Sequence, residues 1–565
     1  MAKVRAICLL GASLAGALAG CDGGGGVDEE AENDHLPPTV EVLTPERGTV
    51  TPDGMVLVTG RATDAESSGA TVTVNDQQAT VGGDGSFELS LALGDGITLL
   101  ETVATDRGGN TATDARAVLA GMLVSQGTPV SQSIAAFLSS QAMTGLSDLI
   151  NGYASALDLE ALAKSYNPVV DTGDSCNDYK AYVDSLTRGP IEVSAGAADG
   201  GISGVVTIRD IVVEGHIDWE ALCANGTTDF VVTADAYDAS ALIVPSLAAG
   251  GGVDIALGGV SSSFRGFAVD ADGVPGFVED AFEDDIRDKV AGMLRDKVEE
   301  IVPPQASMFL SGFVAEAHSI AVLGQTVDIS VWPSDMSWTE AGGLVVFDTQ
   351  TSVVGVRDAL VLSTPTARPS ETDMAGTGLR LAVADDLLNH LLAGLWASGA
   401  MEEALLPADG DALSAAFGGE VASASLTMML PPVTNFDTST GTAQMALGDV
   451  MVEAVGQDGS TLAKFVVSAY VDLAVETRSD GSVKITTQTP RVLAQVLEQS
   501  DTLLTPLDVP RVEAIAGLAI KQLATKADSL LENLPVPGLP GATIMSPTFQ
   551  PVSGYLMMGG ELLYE

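Results

Sequence analysis

Histidine, cysteine and clustered carboxylates are the side chains here that could do chemistry, and the first two are scarce, with four of each in 565 residues. The histidines are His35, His216, His318 and His390. His390 follows Asp386 by four residues, a spacing that puts both on one helix face and serves a surface pair more readily than a catalytic dyad. The chain has no Gly-x-Ser-x-Gly elbow, no His-Glu-x-x-His pair and no phosphate-cradling glycine loop ending in lysine. A non-catalytic protein without a cofactor is the expectation. Asp270, Asp272, Gly273 and Glu279 match positions 3, 5, 6 and 12 of a calcium loop, but position 1 is Ala268 and no helix precedes it, so a hairpin turn explains them. Asp64, Asp84 and Asp106 are turn residues or cation ligands, and no metal site is assigned. Cys8 and Cys21 lie near the start, which leaves Cys176 and Cys223 for the folded part. In an oxidising compartment these two are expected to form a disulfide, adding about 4 kcal/mol in the chain-entropy model. Two buried free thiols are the alternative, and an intact mass separates the two.

The elements that carry these residues begin with a leader. Lys3 and Arg5 precede an uncharged stretch from Ala6 to Ala17, followed by Leu18, Ala19, Gly20 and Cys21. A basic start, an apolar core too short to span a bilayer and small residues at the end read as a secretory signal over residues 1–20. Leu18 to Cys21 resemble the bacterial lipobox. That resemblance implies an acylated Cys21 as the new N-terminus and membrane attachment through it, in the envelope of a bacterium, at the periplasmic or surface-exposed face of the outer membrane. Residues 21–36, with Gly23 to Gly26 and then Asp28, Glu29, Glu30, Glu32 and Asp34, offer almost nothing to bury. They read as a disordered tether with a reach of about 21 Å.

The net charge is −51, and loss of Lys3 and Arg5 with no acid lost takes it to −53. So acidic a body is repelled by nucleic acid and by anionic head groups, which excludes nucleic acid as an expected partner and leaves lipid tails as the part of a lipid it would hold. Hydrophobic residues make up 46% of the chain, enough for the cores of several domains.

Residues 37–120 read as a small antiparallel sandwich. Val40 and Val42, then Val56 and Val58, alternate with polar neighbours, and turns are marked at Asp84-Gly85-Ser86, Gly94-Asp95-Gly96 and Gly108-Gly109-Asn110. Pro37-Pro38-Thr39-Val40, Gly60-Arg61-Ala62-Thr63-Asp64, Asp84-Gly85-Ser86-Phe87 and Ala104-Thr105-Asp106 come in an order that resembles bacterial Ig-like domains. Such modules are spacers or adhesive units.

From Gly121 onward long helices are expected to alternate with long strands, twice over. A helix from Ser133 to about Leu157 would carry Ile134, Leu138, Ala142, Leu146, Leu149, Ile150 and Tyr153 on one face. A second, Phe277 to Ile301, would carry Val278, Phe282, Ile286, Val290, Leu294 and Val298 and stop at Pro303-Pro304. The order recurs with a helix from Val383 to about Ala397 (Leu388, Leu391, Leu392, Leu395), a long strand Lys464 to Glu476, and a final helix from Pro510 to Leu534 (Val512, Ile515, Leu523, Leu530). Strand-like runs such as Ile202 to Ile217 and Val253 to Val269 lie between, and the tail from Ala542 to Glu565 is strand-rich. Each half reads as an α+β barrel of curved antiparallel sheet wrapped around long helices, the first over residues 121–337 and the second over 338–565.

Three stretches resemble the tubular lipid-binding superfamily, of the two-domain type that includes bactericidal permeability-increasing protein and lipopolysaccharide-binding protein. They are Leu123 to Gly127 with its following helix, Gly378 to Asn389, and the ending from Leu534-Pro535-Val536-Pro537 through Pro547 to Pro551 and Tyr555 to Tyr564. The resemblance implies lipid or another acyl-chain ligand in apolar slots beside the helices, lined by Leu138, Ala142, Leu146, Leu149, Phe282, Ile286, Val290, Leu294, Val298, Leu388, Leu391, Leu395, Val512, Ile515, Leu523 and Leu530. A helix of 25 residues is about 37 Å long, ample beside a leaflet of about 15 Å. The family's cationic tips are missing, since Arg287, Lys289, Arg295 and Lys297 are interleaved with acids, and recognition through lipopolysaccharide phosphates is not expected. The alternative is a surface interaction or adhesion protein whose barrels are closed scaffolds.

Overall fold

The structure, a computed structural model, describes residues 34–564 except 67–68, 173–176, 222–223, 249–251, 272–275, 311–316, 357–358, 365–366, 406–413, 415–416, 418–420, 437–441, 478–482, 502, 504–505, 518 and 521–541. Cys21, Cys176, Cys223, Leu523 and Leu530 therefore lie outside the described residues. The chain divides into two compact units, one of Met1–Thr44, Val58–Leu89 and Thr102–Asp114, the other of Pro45–Leu57, Ser90–Glu101 and Ala115–Glu565.

The described residues of the first unit are all β and connecting turns. Thr39–Thr44 pairs antiparallel with Met55–Thr63, Val40 opposite Ala62, and Thr71–Val74 pairs with Gly96–Thr105. Along Met55–Thr63 buried and exposed residues alternate, as one-sided burial of a pleated strand requires. Turn chemistry sets the hairpins. Asp84 Oδ1 accepts from Ser86 N–H at 3.1 Å and Ser86 Oγ at 2.7 Å. Gly85 has φ +80°, and a side chain there would meet the Ala62 carbonyl oxygen at 2.3 Å. Residues 34–36, expected to belong to a tether, are held by the folded part. Asp34 is buried, and the N–H groups of His35 and Leu36 donate to Glu66 at 3.0 and 3.4 Å. Composition missed this because one acidic residue held by a folded neighbour looks like any other in an acidic run.

The second unit is also mostly β, built on a central seven-stranded sheet with two half-barrel sheets. The central order is Ala317–Val322, Gln325–Thr339, Gly342–Val353, Val130–Ser139, Leu379–Ala384, Tyr555–Tyr564 and Ala542–Val552. Strands from both sides of residue 337 thus share one sheet. The first half-barrel sheet includes Asn177–Thr187 and the long strands Gly201–Ala221, Ala224–Leu247 and Val253–Arg265. The second is built from Val421–Met428, Ala443–Gly456, Thr461–Thr477, Val483–Thr487 and Arg491–Gln499, with Val433–Asn435.

Sheets wrapped around long helices are not what the described residues show. Helices are few, and the expected helix from Ser133 begins as the strand Val130–Ser139, followed by a short turn Ser140–Ala142 and the helix Met143–Ser155. Ile134 to Leu138 are all buried because sheet neighbours flank the strand on both edges and core covers both faces. An unbroken apolar run of that kind has no period that separates strand from helix. The helix at Gly276–Leu310 passes through Pro303 and Pro304 instead of stopping. Beyond them Ala306, Phe309 and Leu310 are buried in the core, so tertiary burial outweighs the lost backbone hydrogen bonds. Strand Leu379–Ala384 runs directly into helix Asp385–Ala397, as the run Gly378 to Asn389 suggested. Of the last expected helix, 509–517 and 519–520 are helical.

Candidate functional site

In the first half, helix Gly276–Leu310 lies against the strands of its half-barrel. Phe282 is fully buried, with the rings of Tyr179 and Phe230 edge-on at 6.0 and 5.0 Å. The Tyr179 hydroxyl donates to Asp285, and burial together with that carboxylate raises the phenol pKa. Ile286 is buried as well, whereas Val290, Leu294 and Val298 are half-buried. A gap of about 40 Å³ remains between Val290, Met293 and Leu294, the helix Leu159–Ser165, and Val183, Ile208 and Val213 of the sheet, apolar throughout except for Arg188. Small-molecule sites occupy about 300–1,000 Å³. As it stands this gap is too small for an acyl chain.

The second half has a larger hollow. A groove of about 630 Å³ runs between Thr487 to Pro490 and Val492 on one side and Pro510, Glu513, Ala514, Gly517 and Ile520 on the other. The residues expected to line a slot here do something else. Val512 is sealed in a closed core with Phe465, Leu503 and Ala516, and Ile515 packs against that core. Helical geometry turns Ala514 and Gly517, three apart, to the other side. A side chain added at Gly517 would meet nothing within 4 Å. Small residues on a helix face were the signal for this groove, and a search for large apolar rows passes over them.

Of the remaining expected lining residues, four are in closed packing: Leu138, Ala142, Leu391 and Leu395. Leu138 belongs to a strand and Ala142 to the turn after it, both buried. Leu146 and Leu149 are in helix Met143–Ser155, but their side chains lie outside the described residues. On helix Asp385–Ala397, Leu391 and Leu395 are buried in the core under the central sheet, and Leu388 is half-buried.

That helix also carries a buried polar row. Asp386 and His390, expected as a surface pair, are both buried, because the helix packs on the sheet along this face too. Asp386 accepts from Thr364 N–H at 2.7 Å and Thr364 Oγ1 at 2.8 Å, and burial raises its pKa. Among the described residues His390 Nδ1 has no hydrogen-bond partner, and burial lowers its pKa to about 4. Asn389 donates to the Thr434 carbonyl and accepts from Thr434 N–H at 2.7 Å. A third hollow of about 350 Å³ lies nearby, lined by Thr364, Asp385, Thr434, Asn435, Gln444 and Tyr470 among others.

Of the carboxylates considered as ligands, Asp84 is spent in its turn. Asp270 ends strand Ala268–Asp270, and Asp272 and Gly273 lie outside the described residues. Among the described residues no helix is long and apolar enough to cross a membrane.

Residues 38–122 match the family of glucodextranase domain B, and with the all-β first unit this gives the chain an Ig-like start. No curated protein matches the sequence. Among solved structures the chain is similar to lipopolysaccharide binding protein, at 13% identity, over 77% of this chain and 100% of that one, with a TM-score of 0.45. It is also similar to P47 from Clostridium botulinum A2 at 9% identity over 77% and 98% of the two chains, TM-score 0.24. A tetra-tandem repeat from the extending region of a large adhesion protein matches at 14% identity over 82% and 100%, TM-score 0.13.

Proposed function

We propose that this chain is a non-catalytic lipid-binding protein of a bacterial envelope, held to the membrane through an acylated Cys21. The observation that carries the proposal is the groove of about 630 Å³ beside Ala514 and Gly517, which is of ligand size and lies between a helix and a sheet edge. Ile520, Val492, Pro490 and Pro510 give it apolar surface for a chain of methylenes, each worth about 0.8 kcal/mol when buried. Glu513 and Gln488 give it a polar side where a neutral or cationic head group would sit. The half-buried Val290, Leu294 and Val298 make the first half a second, closed position that opens only if its helix moves away from the sheet.

The test is extraction. Protein taken from its native membrane and freed of its anchor segment is expected to release acyl lipid into organic solvent in near-stoichiometric amount. Protein that carries no lipid, and takes up none from neutral vesicles, rules the reading out. The second reading is an interaction or adhesion protein with closed scaffolds, favoured by the close packing of the first half. A bare mass in native mass spectrometry together with a stable protein partner would select it.

A further inference from the structure

We infer that the first unit holds a calcium ion between Asp34, Asp64 and Asp106. One carboxylate oxygen from each lies within 4.8 Å of the others. Calcium takes oxygen ligands at about 2.3–2.6 Å, so two ligands on opposite sides of one ion stand about 4.8 Å apart, and three atoms this close fit on one coordination sphere.

Proximity of acids alone would say little in so acidic a chain. The decisive residue is Asp34, which is 4% exposed and, among the described residues, has no hydrogen-bond donor at either carboxylate oxygen. An ionised carboxylate withdrawn from water and left without a donor costs several kcal/mol, so such groups are found paired or on a metal. Here two further carboxylates stand close to it, and a cation reconciles the three. Asp106, 7% exposed, is oriented by its neighbour: Asn110 donates to it through N–H at 2.8 Å and Nδ2–H at 2.9 Å, and Asn110 Nδ2 also reaches the Asp34 carbonyl at 3.2 Å. Asp64 is held by the N–H of Glu66 on Oδ1 at 2.7 Å, while Glu66 receives the N–H groups of His35 and Leu36. Three separate pieces of chain thus converge: the approach to the first strand, the loop after Met55–Thr63 and the loop before Thr111–Ala120. The hard, all-oxygen donor set suits calcium, and waters complete its six to eight ligands. The ion would fasten the point where the anchor segment enters the folded unit.

The experiment compares thermal unfolding of the full chain, purified in detergent, in EDTA, in about 10 mM calcium chloride and in about 10 mM magnesium chloride, concentrations above the range of weak extracellular calcium modules. Magnesium reads the diffuse binding that any surface of this charge shows. Calcium is expected to raise the melting temperature of one transition by about 5–10 °C over magnesium. Asp34→Asn and Asp106→Asn should each abolish that difference, and Asp84→Asn should keep it. Equal melting in the two salts, or an undiminished calcium response in Asp34→Asn, overturns the inference. Should either variant fail to fold, equilibrium dialysis of the unaltered chain decides: one calcium retained against excess magnesium supports the site, and none retained overturns it.

Discussion

The two halves of the second unit close their sheets with helices of opposite character. In the first, Phe282, Ile286 and Met293 fill the space against Tyr179 and Phe230 until about 40 Å³ is left. In the second, Ala514 and Gly517 face a groove of about 630 Å³, while the bulkier Val512 turns into a separate closed core. Both halves have long antiparallel strands, so strand topology does not decide whether a hollow exists. Side-chain volume on one helix face does.

The contrast can be broken at its most tightly packed point. Phe282→Ala is expected to destabilise the chain by about 3–5 kcal/mol in a denaturant titration and to give the first half a hollow that takes up an apolar fluorescent probe. A cost below about 1 kcal/mol would mean that this ring does not seal the half-barrel. The same half is expected to be stapled. Asn177 pairs with Ala221 across the strand ends, and in sequence Cys176 comes one residue before the first of these and Cys223 two residues after the second. An intact mass two hydrogens short of the reduced chain, and a loss of about 4 kcal/mol on Cys176→Ser, are the expected results. A full-mass chain with two alkylatable thiols refutes the staple.

Acid should act on the other half. His390 is neutral when folded, with a pKa near 4, against 6.5 when unfolded. The unfolded chain therefore binds the extra proton, and stability present above pH 6.5 is lost as pH falls toward 4, by about 3 kcal/mol in total. The raised pKa of Asp386 works in the opposite sense, because its folded form takes up a proton at higher pH than its unfolded form. His390→Leu isolates the first contribution: its stability between pH 7 and pH 4 should fall less than that of the parent, and parallel profiles would count against it. Smallest in stability is Gly517→Leu. A better helix former in open space should change folding by no more than about 1 kcal/mol, yet fill the groove and cut bound lipid at least tenfold. Unchanged lipid content would place the ligand elsewhere.

Much of this architecture was legible where local chemistry is strict. The turns at Asp84-Gly85-Ser86 and Gly108-Gly109-Asn110 follow from turn residues, whereas the strand-to-helix passage at Ala384 and Asp385 and the last strand were visible only through the resemblance of Gly378 to Asn389 and of the ending to a known pattern, periodicity alone having started the helix at Val383. Residues 130–139 were not legible, because burial on both faces removes the period that distinguishes a strand. Pro303 and Pro304 misled for a related reason: a break in local preference is overridden when the segment beyond it is pulled into a core. The groove escaped because hydrophobic rows reveal what is buried and not where space is left. Asp34 escaped because the carboxylates it stands beside, Asp64 and Asp106, lie 30 and 72 residues further along.

The central sheet sets Val130–Ser139 beside Leu379–Ala384, and that strand beside Tyr555–Tyr564. A ribosome must therefore deliver nearly the whole chain before this layer can be completed, and until then Leu379–Ala384 has one unsatisfied edge. Non-local pairing of this extent slows folding and exposes a template for mispairing with other chains. Neither half should accumulate as a soluble fragment when expressed by itself, and a stop codon ahead of Tyr555 should send the product to inclusion bodies.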